Sequence, residues 1–229
     1  MESKNYSIEE RLYDKSYTCP VCNKDFKARE IKKGKTIFVE LDLGLRGKFK
    51  PIMPDYYYVI ICDNCGYASV SKTFNKTNGK HIKNIKENIN KNYVPKKYPL
   101  VYDAEIAIDR YKKALYFSHI KGGDISERAY IAQKIAFICE DINDENQAKE
   151  YNIHAYNWYS EAYLEERFPI MDMEEGQFLY NLAYLAYKIG NIDEAKKTLS
   201  KVIVKKDLSV TLKEKAEDFA EILKKEDKA

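Results

Sequence analysis

The sequence predicts an α+β protein: a small N-terminal β domain organised around a metal, followed by an all-α domain of packed helical pairs. Three observations predict it. Two Cys-x-x-Cys pairs, "CPVC" at 19–22 and "CDNC" at 62–65, stand in the first third of the chain. Between them, residues 36–43 alternate apolar and polar with the period of a strand. From Tyr102 onward the apolar period becomes helical.

A chain of 229 residues has room for one large domain or two modest ones. The first 18 residues are charged and polar, without the apolar run of a signal peptide. The most apolar stretch, "YYYVIIC" at 56–62, is far too short to cross a bilayer. A cytoplasmic protein with no membrane partner is therefore expected. Five cysteines, an odd number without a secretory signal, argue against a disulfide scaffold. The net charge of +3 conceals a split: residues 1–100 carry 20 basic and 11 acidic side chains, and residues 101–229 carry 19 and 25. A basic front and an acidic back suggest two domains with different partners, although composition drift on solvated surfaces gives the same count.

The four paired cysteines, Cys19, Cys22, Cys62 and Cys65, are the candidate metal ligands. A Cys-x-x-Cys turn lets two thiolates reach one ion while turn amides point at the sulfurs, and two such turns complete a tetrahedron that suits Zn²⁺. Pro20 stiffens the first turn, and Asn23 and Gly66 are residue types that tolerate the left-handed conformation after the second ligand. "TIFVELDL" at 36–43 sets Ile37, Val39, Leu41 and Leu43 against Glu40 and Asp42, with Gly44 and Gly47 as turn residues beyond, and "YYYVII" at 56–61 leads into the second turn as a strand. This is the layout of a zinc ribbon with an unusually long spacer of 39 residues. A thioredoxin-like redox pair would need an α/β pattern that is absent, and a catalytic zinc would leave a position open for water. Four thiolates close the shell, so the expected cofactor is a structural Zn²⁺. His81, His119 and His154 are scattered at irregular spacing and are read as ordinary histidines.

Residues 72–97 carry eight lysines and one glutamate. Within them Ile82, Ile85 and Ile89 form one apolar stripe on an otherwise basic helix, and Pro95 and Pro99 mark a boundary. Such a helix could track a phosphate backbone through Lys80, Lys83 and Lys86. A helix docking its isoleucines on the β domain would look the same.

Beyond the boundary, "AIDRYKKAL" repeats a helical register, and a helix over about 126–142 has Ala129, Ala132, Ala136 and Cys139 on one face beside Ile131, Ile135, Ile138 and Ile142. Both faces look buried, so Cys139 is read as a small core residue. "FLYNLAYLAYKIGNIDEAKKTLSKVI" at 178–203 resembles a tetratricopeptide repeat: two antiparallel helices meet at Gly190-Asn191, with Leu179, Leu182, Ala183 and Tyr187 packing in the first and Ala195 at the crossing. Leu199 and Val202 complete the second helix, and Ala107, Ala148 and Ala195 are equivalent crossing alanines. Their separations of 41 and 47 exceed the usual repeat, so helices or connections are longer. A final helix with Leu212, Ala216, Phe219 and Leu223 on one stripe would cap the stack. The expected organisation is a zinc-ribbon-like domain over 1–75, a basic helical connector over 76–100, and a tetratricopeptide-like helical-repeat domain over 101–229.

Together, "CPVC", "CDNCGYA", Phe74 and "AIDRYKKAL" resemble the bacterial family known as domain of unknown function 2225, across nearly the whole chain. The departures, Asn23 where a glycine is common and Asp63 where a proline is common, remove no ligand. The resemblance implies the metal knuckles and the helical architecture, and it implies no activity.

Two classes of function fit. The first is a non-enzymatic adaptor or scaffold that binds a protein or peptide on its helical surface. In that register Tyr180, Tyr184 and Tyr187 share one face of the first helix of a pair, with Gln177 and Lys188 beside them; Tyr130, Gln133, Phe137 and Glu140 contribute from an earlier helix. Tyrosine suits recognition because its ring gives contact area and its hydroxyl stays polar. Packing of the same tyrosines against a neighbouring helix is the competing reading. The second class is a nucleic-acid-associated factor that uses the basic front half. No nucleophile–base pair, phosphate loop or carboxylate cluster can be placed, and "KGGD" at 121–124 reads as a loop, so no enzyme is expected.

Overall fold

The computed structural model describes residues 7–89 and 93–226. They fall into two compact units: the first takes in the residues up to Glu40 together with 48–123 and 137–144, the second 41–47, 124–136 and everything described from 145 onward. The class is α+β, with small antiparallel strands first and a helical C-terminal part.

β1 (Leu12–Thr18) and β2 (Asp25–Ile31) pair antiparallel, from Leu12 opposite Ile31 to Thr18 opposite Asp25, and carry the first Cys-x-x-Cys turn at their tip. β3 (Ile37–Leu41) and β4 (Gly47–Lys50) form a second hairpin inside the long spacer. The period-two pattern correctly reads β3 as a strand, but the strand has no buried face: Ile37, Phe38 and Val39 are 66%, 55% and 49% exposed. At its tip the left-handed residue is Leu45 (φ 57), not Gly44 or Gly47, because the Asp42 carboxylate accepts the Arg46 amide at 2.8 Å and closes the turn around that residue.

Pro54 opens a 3-10 turn over Pro54–Tyr57, so the strand expected from residue 56 is confined to β5 (Val59–Ile61). β6 (Ala68–Val70) pairs with it antiparallel, Val59 opposite Val70, and this hairpin carries the second Cys-x-x-Cys turn. The strands thus make three two-stranded ribbons and not one small sheet.

Two helices complete the first unit's framework. In α1 (Gly79–Asn88) the Asn78 side chain caps the first turn by accepting the His81 amide at 2.9 Å. Its apolar stripe docks through Ile85, which is fully buried, while Lys80, Lys83 and Lys86 stay exposed. α2 (Ala104–Lys121) is capped by Asp103 and ends at Gly122 in the left-handed conformation. Specific bonds tie it and the residues before it to the 3-10 turn that precedes β5. The Tyr111 hydroxyl donates to Asp55 O at 2.8 Å, and the Tyr102 amide donates to the Tyr57 hydroxyl at 3.0 Å under a stacked ring pair 4.8 Å apart. Leu12, Ile52, Tyr57 and Tyr102 form one core cluster. Tyr17, Phe26, Tyr67, Phe74 and Phe117 form a chain of ring contacts through another.

Both apolar stripes of α3 (Ile125–Asp141) are enclosed: Ala129, Ala132, Ala136, Cys139, Ile131, Ile135 and Ile138 are fully buried, and of the expected stripe residues only Ile142, beyond its end, is exposed. In the second unit α4 (Glu145–Glu165), α5 (Glu175–Lys188), α6 (Ile192–Ile203) and α7 (Val210–Glu226) pack together. α5 and α6 make the helical pair expected from the sequence. Gly190 takes φ 84 at the turn, Asn191 caps α6 by accepting the Glu194 amide, and Ala195, Leu199 and Val202 are buried in the pair. Leu212, Ala216, Phe219 and Leu223 are the buried stripe of α7.

Candidate metal centre

Each Cys-x-x-Cys turn is the tip of a hairpin, and the two tips are built alike. In the first, the Cys19 amide donates to Lys24 O at 3.0 Å and the Asn23 amide to Cys19 O at 2.9 Å. In the second, the Cys62 amide donates to Tyr67 O and the Gly66 amide to Cys62 O, both at 2.8 Å. The chain must turn left-handed just after the second cysteine of each pair, and Asn23 (φ 58) and Gly66 (φ 79) do so. Backbone amides then aim at sulfur: those of Cys22 and Val21 at Cys19, of Cys65 and Asn64 at Cys62, and of Tyr67 at Cys65. The Asn64 side chain donates to Asp25 O at 3.2 Å and ties the second tip to the first hairpin.

The four sulfurs lie within 4.8 Å of one another, and the Cys19–Cys65 and Cys22–Cys62 separations are both 3.7 Å. A disulfide requires about 2.05 Å. A tetrahedron with metal–sulfur bonds of about 2.3 Å has an edge of about 3.8 Å. The cysteines are free, Cys19 and Cys62 are buried, and the cluster could hold a metal ion. Among the described residues it is the one group of three or more His, Cys, Asp or Glu side chains arranged for that purpose. At this distance the sulfurs set one another's charge. The Cys62 thiol is pushed down because Cys19 and Cys65 hydrogen bond to its thiolate, and Cys65 is pushed up by Cys19 and Cys62 in turn. Cys19 is pushed up as well, chiefly by Cys62, so without an ion the cluster keeps protons on some sulfurs; a bound cation would displace them and make all four thiolates.

The "CGYA" segment gives each residue a task. Tyr67 is fully buried, stacks at a tilt on Phe74 and donates its hydroxyl to Phe74 O at 3.3 Å, which anchors the tip to the core. Ala68 begins β6 with no exposed surface. Gly66 is required twice over, by its φ and because an added Cβ would stand 2.7 Å from the Tyr93 ring. Gly66→Ala is expected to cost about 1–2 kcal/mol from the backbone alone and more from displacing Tyr93. Gly34→Ala, at φ 73 in open space, isolates the backbone part. Equal melting temperatures for the two variants would contradict the Tyr93 contact.

The residues expected to face a partner are not brought together on an open surface. Tyr180 is fully buried: its ring packs 5.8 Å from that of Phe219, and its hydroxyl donates to Leu43 O at 2.8 Å. Tyr184 is 5% exposed and Phe137 3%. Tyr180 and Tyr184 fall in the stretch of α5 from Phe178 to Ala186, which is buried throughout. Gln133, expected beside the groove, pairs instead with Asn181 in the core of the second unit: each side-chain amide donates to the other's oxygen, and Gln133 Oε1 also lies 3.5 Å from the Tyr159 hydroxyl. Tyr130 and Tyr187 keep partial exposure, Tyr187 packing edge-on against Phe219, and Gln177 is exposed. Lys188 and Glu140 are half-buried. Cys139 is buried, and burial pushes its thiol up to about 11. No helix of the described residues is long and apolar enough to cross a membrane.

Asn181 and Arg110 are two of the buried polar residues that sequence reasoning missed. For Asn181 a signal existed, since "QFLYNLAYLAY" runs over 177–187 without a charge; an asparagine inside such a run must find a buried partner. No curated protein and no solved structure matches the chain. The family described as "Uncharacterized protein conserved in bacteria" matches residues 12–223, from the first residue of β1 through both cysteine turns to Leu223 on α7. On that match the chain belongs to the bacterial family of domain of unknown function 2225.

Proposed function

We propose that the chain is a zinc-binding, non-enzymatic adaptor or scaffold, in which a structural Zn²⁺ on Cys19, Cys22, Cys62 and Cys65 locks the two hairpin tips and the helical units carry a surface for a protein or peptide. The observation that supports it most is the 3.7 Å spacing of sulfurs across the two tips, which fits a closed tetrahedron. A shell of four thiolates leaves no position for a reactive water, so the metal's work is to hold structure. Helical pairs such as α5–α6, read as tetratricopeptide-like, commonly present partner surfaces, and Tyr130 and Tyr187 are the expected contact residues that retain exposure. Elemental analysis of the native protein should find one zinc per chain, lost on replacing any of the four cysteines. A chain purified without zinc, or with these sulfurs disulfide-bonded, overturns the reading.

A nucleic-acid-associated role is the second reading, favoured by one observation: Lys80, Lys83 and Lys86 all project to solvent from α1 while Ile85 anchors it. An electrophoretic shift on RNA or DNA should then weaken steeply with salt and vanish when the three lysines become alanine. No shift at low salt ends that reading.

A further inference from the structure

A cavity of about 480 Å³ in the first unit is lined by the β1–β2 hairpin, β5, α2 and the extended segment 93–102. Its charge is unbalanced. Lys27 on β2 and Lys97 on the segment have no ion-pair partner among the described residues. Arg110 of α2 lines it as well and is only 4% exposed. Its guanidinium lies 4.5 Å from the Tyr102 ring centre and 4.9 Å from that of Tyr98, and it donates to Val59 O at 2.6 Å. No carboxylate pairs with it among the described residues, and its Nε has no acceptor.

A buried guanidinium ordinarily has an anionic partner, because ring faces and one carbonyl replace only part of its lost hydration. Nearby acids are committed elsewhere: Asp14 to Arg29 at 2.7 Å and Asp109 to Lys96 at 2.9 Å. Asp63 lines the same cavity within reach of the Arg110 charge, but no ion pair within 4 Å joins the two, so it screens the guanidinium without capping it. The anion is therefore to come from outside. The walls say what else it carries, since Tyr93, Tyr98 and Pro99 supply flat apolar surface beside the cations, the combination that recognises a phosphorylated ring compound. A volume of this size suits a small ligand.

We propose that this cavity binds a nucleotide, free or as one unit of a single strand, with its phosphate held by Lys27, Lys97 and Arg110 and its base against the tyrosines. The site uses none of the four cysteines and none of the α1 lysines, although Ile61, Asp63 and Tyr93 of its wall adjoin the second cysteine turn; the zinc-loaded chain is therefore the form to test. Calorimetry on the full zinc-loaded chain tests it with four probes: adenosine monophosphate, adenosine, inorganic phosphate and a ten-nucleotide adenine single strand. The monophosphate should bind saturably, with adenosine and phosphate each at least about tenfold weaker. Lys27→Ala and Lys97→Ala, both at exposed side chains without ion-pair partners among the described residues, should each weaken it about tenfold, while the Lys80, Lys83 and Lys86 triple-alanine variant leaves it unchanged. Tighter binding of the strand, with a logarithmic salt slope near −0.7 per phosphate, identifies a single strand as the source; equal affinity identifies the free nucleotide. No saturable binding at millimolar probe, phosphate binding as tightly as the monophosphate, or unchanged affinity in both lysine variants overturns the proposal.

Discussion

With zinc held as proposed by the four cysteines, its removal by chelation or by Cys62→Ser is expected to unfold the knuckle hairpins and with them the packing of α2, while the α4–α7 bundle keeps its structure. Structural zinc contributes about 10–16 kcal/mol to folding in small zinc peptides, as much as or more than the roughly 5–15 kcal/mol by which whole domains are stable. The two hairpins meet at their tips through the sulfurs and the Asn64–Asp25 bond, so loss of the ion leaves weak thiol contacts and that one bond to hold them together. The first unit has its own aromatic core, and a chelated protein would retain some of it in a loosened form. Far-ultraviolet circular dichroism should lose the minor share of helix contributed by α1 and α2, and limited proteolysis should cut first at the hairpin tips. Loss of all helical signal, or an unchanged proteolysis pattern after chelation, would count against this assignment.

The Gln133–Asn181 pair should give the largest non-metal effect in the second unit. Both amides are 6% exposed, and each supplies the other's donor and acceptor. Asn181→Leu leaves the Gln133 amide buried without its partner, a loss of about 2–3 kcal/mol, or a fall of about 5–10 °C in melting temperature for a protein of this size. Gln133→Met should cost a similar amount. The double variant should recover at least about 1 kcal/mol of the summed loss, because no amide is then orphaned. It should not recover everything, since the fully buried Tyr159 hydroxyl reaches Gln133 Oε1. Strict additivity of the two single changes would show that the amides do not act as a pair.

The tyrosines on α5 show where sequence reading succeeds and where it stops. Positions 180, 184 and 187 do share a helical face, as a period of 3.6 requires. Which side of a helix is open depends on its neighbours, and here Phe219 of α7 and the carbonyl of Leu43 cover Tyr180. The uncharged run from Gln177 to Tyr187 carried a warning: a helix with no polar face is enclosed. The β3 strand errs in the opposite direction. Alternation predicts a buried face, yet Ile37 and Val39 remain exposed, since burial needs a second layer that no strand pattern specifies.

What the sequence determined by itself is local. Two Cys-x-x-Cys turns need a left-handed residue after them and have Asn23 and Gly66 there; the α5–α6 pair needs a turn glycine and a cap and has Gly190 and Asn191. These are demands that a few consecutive residues place on their own backbone. What only the tertiary structure decided is non-local. It brought Cys19 to Cys65 across 46 positions, tied Tyr111 and Tyr102 to the 3-10 turn before β5, and buried Arg110 beneath two tyrosines with no ion-pair partner among the described residues. Arg110 reads in sequence as one more charge on an amphipathic helix. Its burial follows from which face α2 turns toward β5, and that choice is made by the packing of whole elements, in which the area buried by many side chains outweighs the desolvation of one.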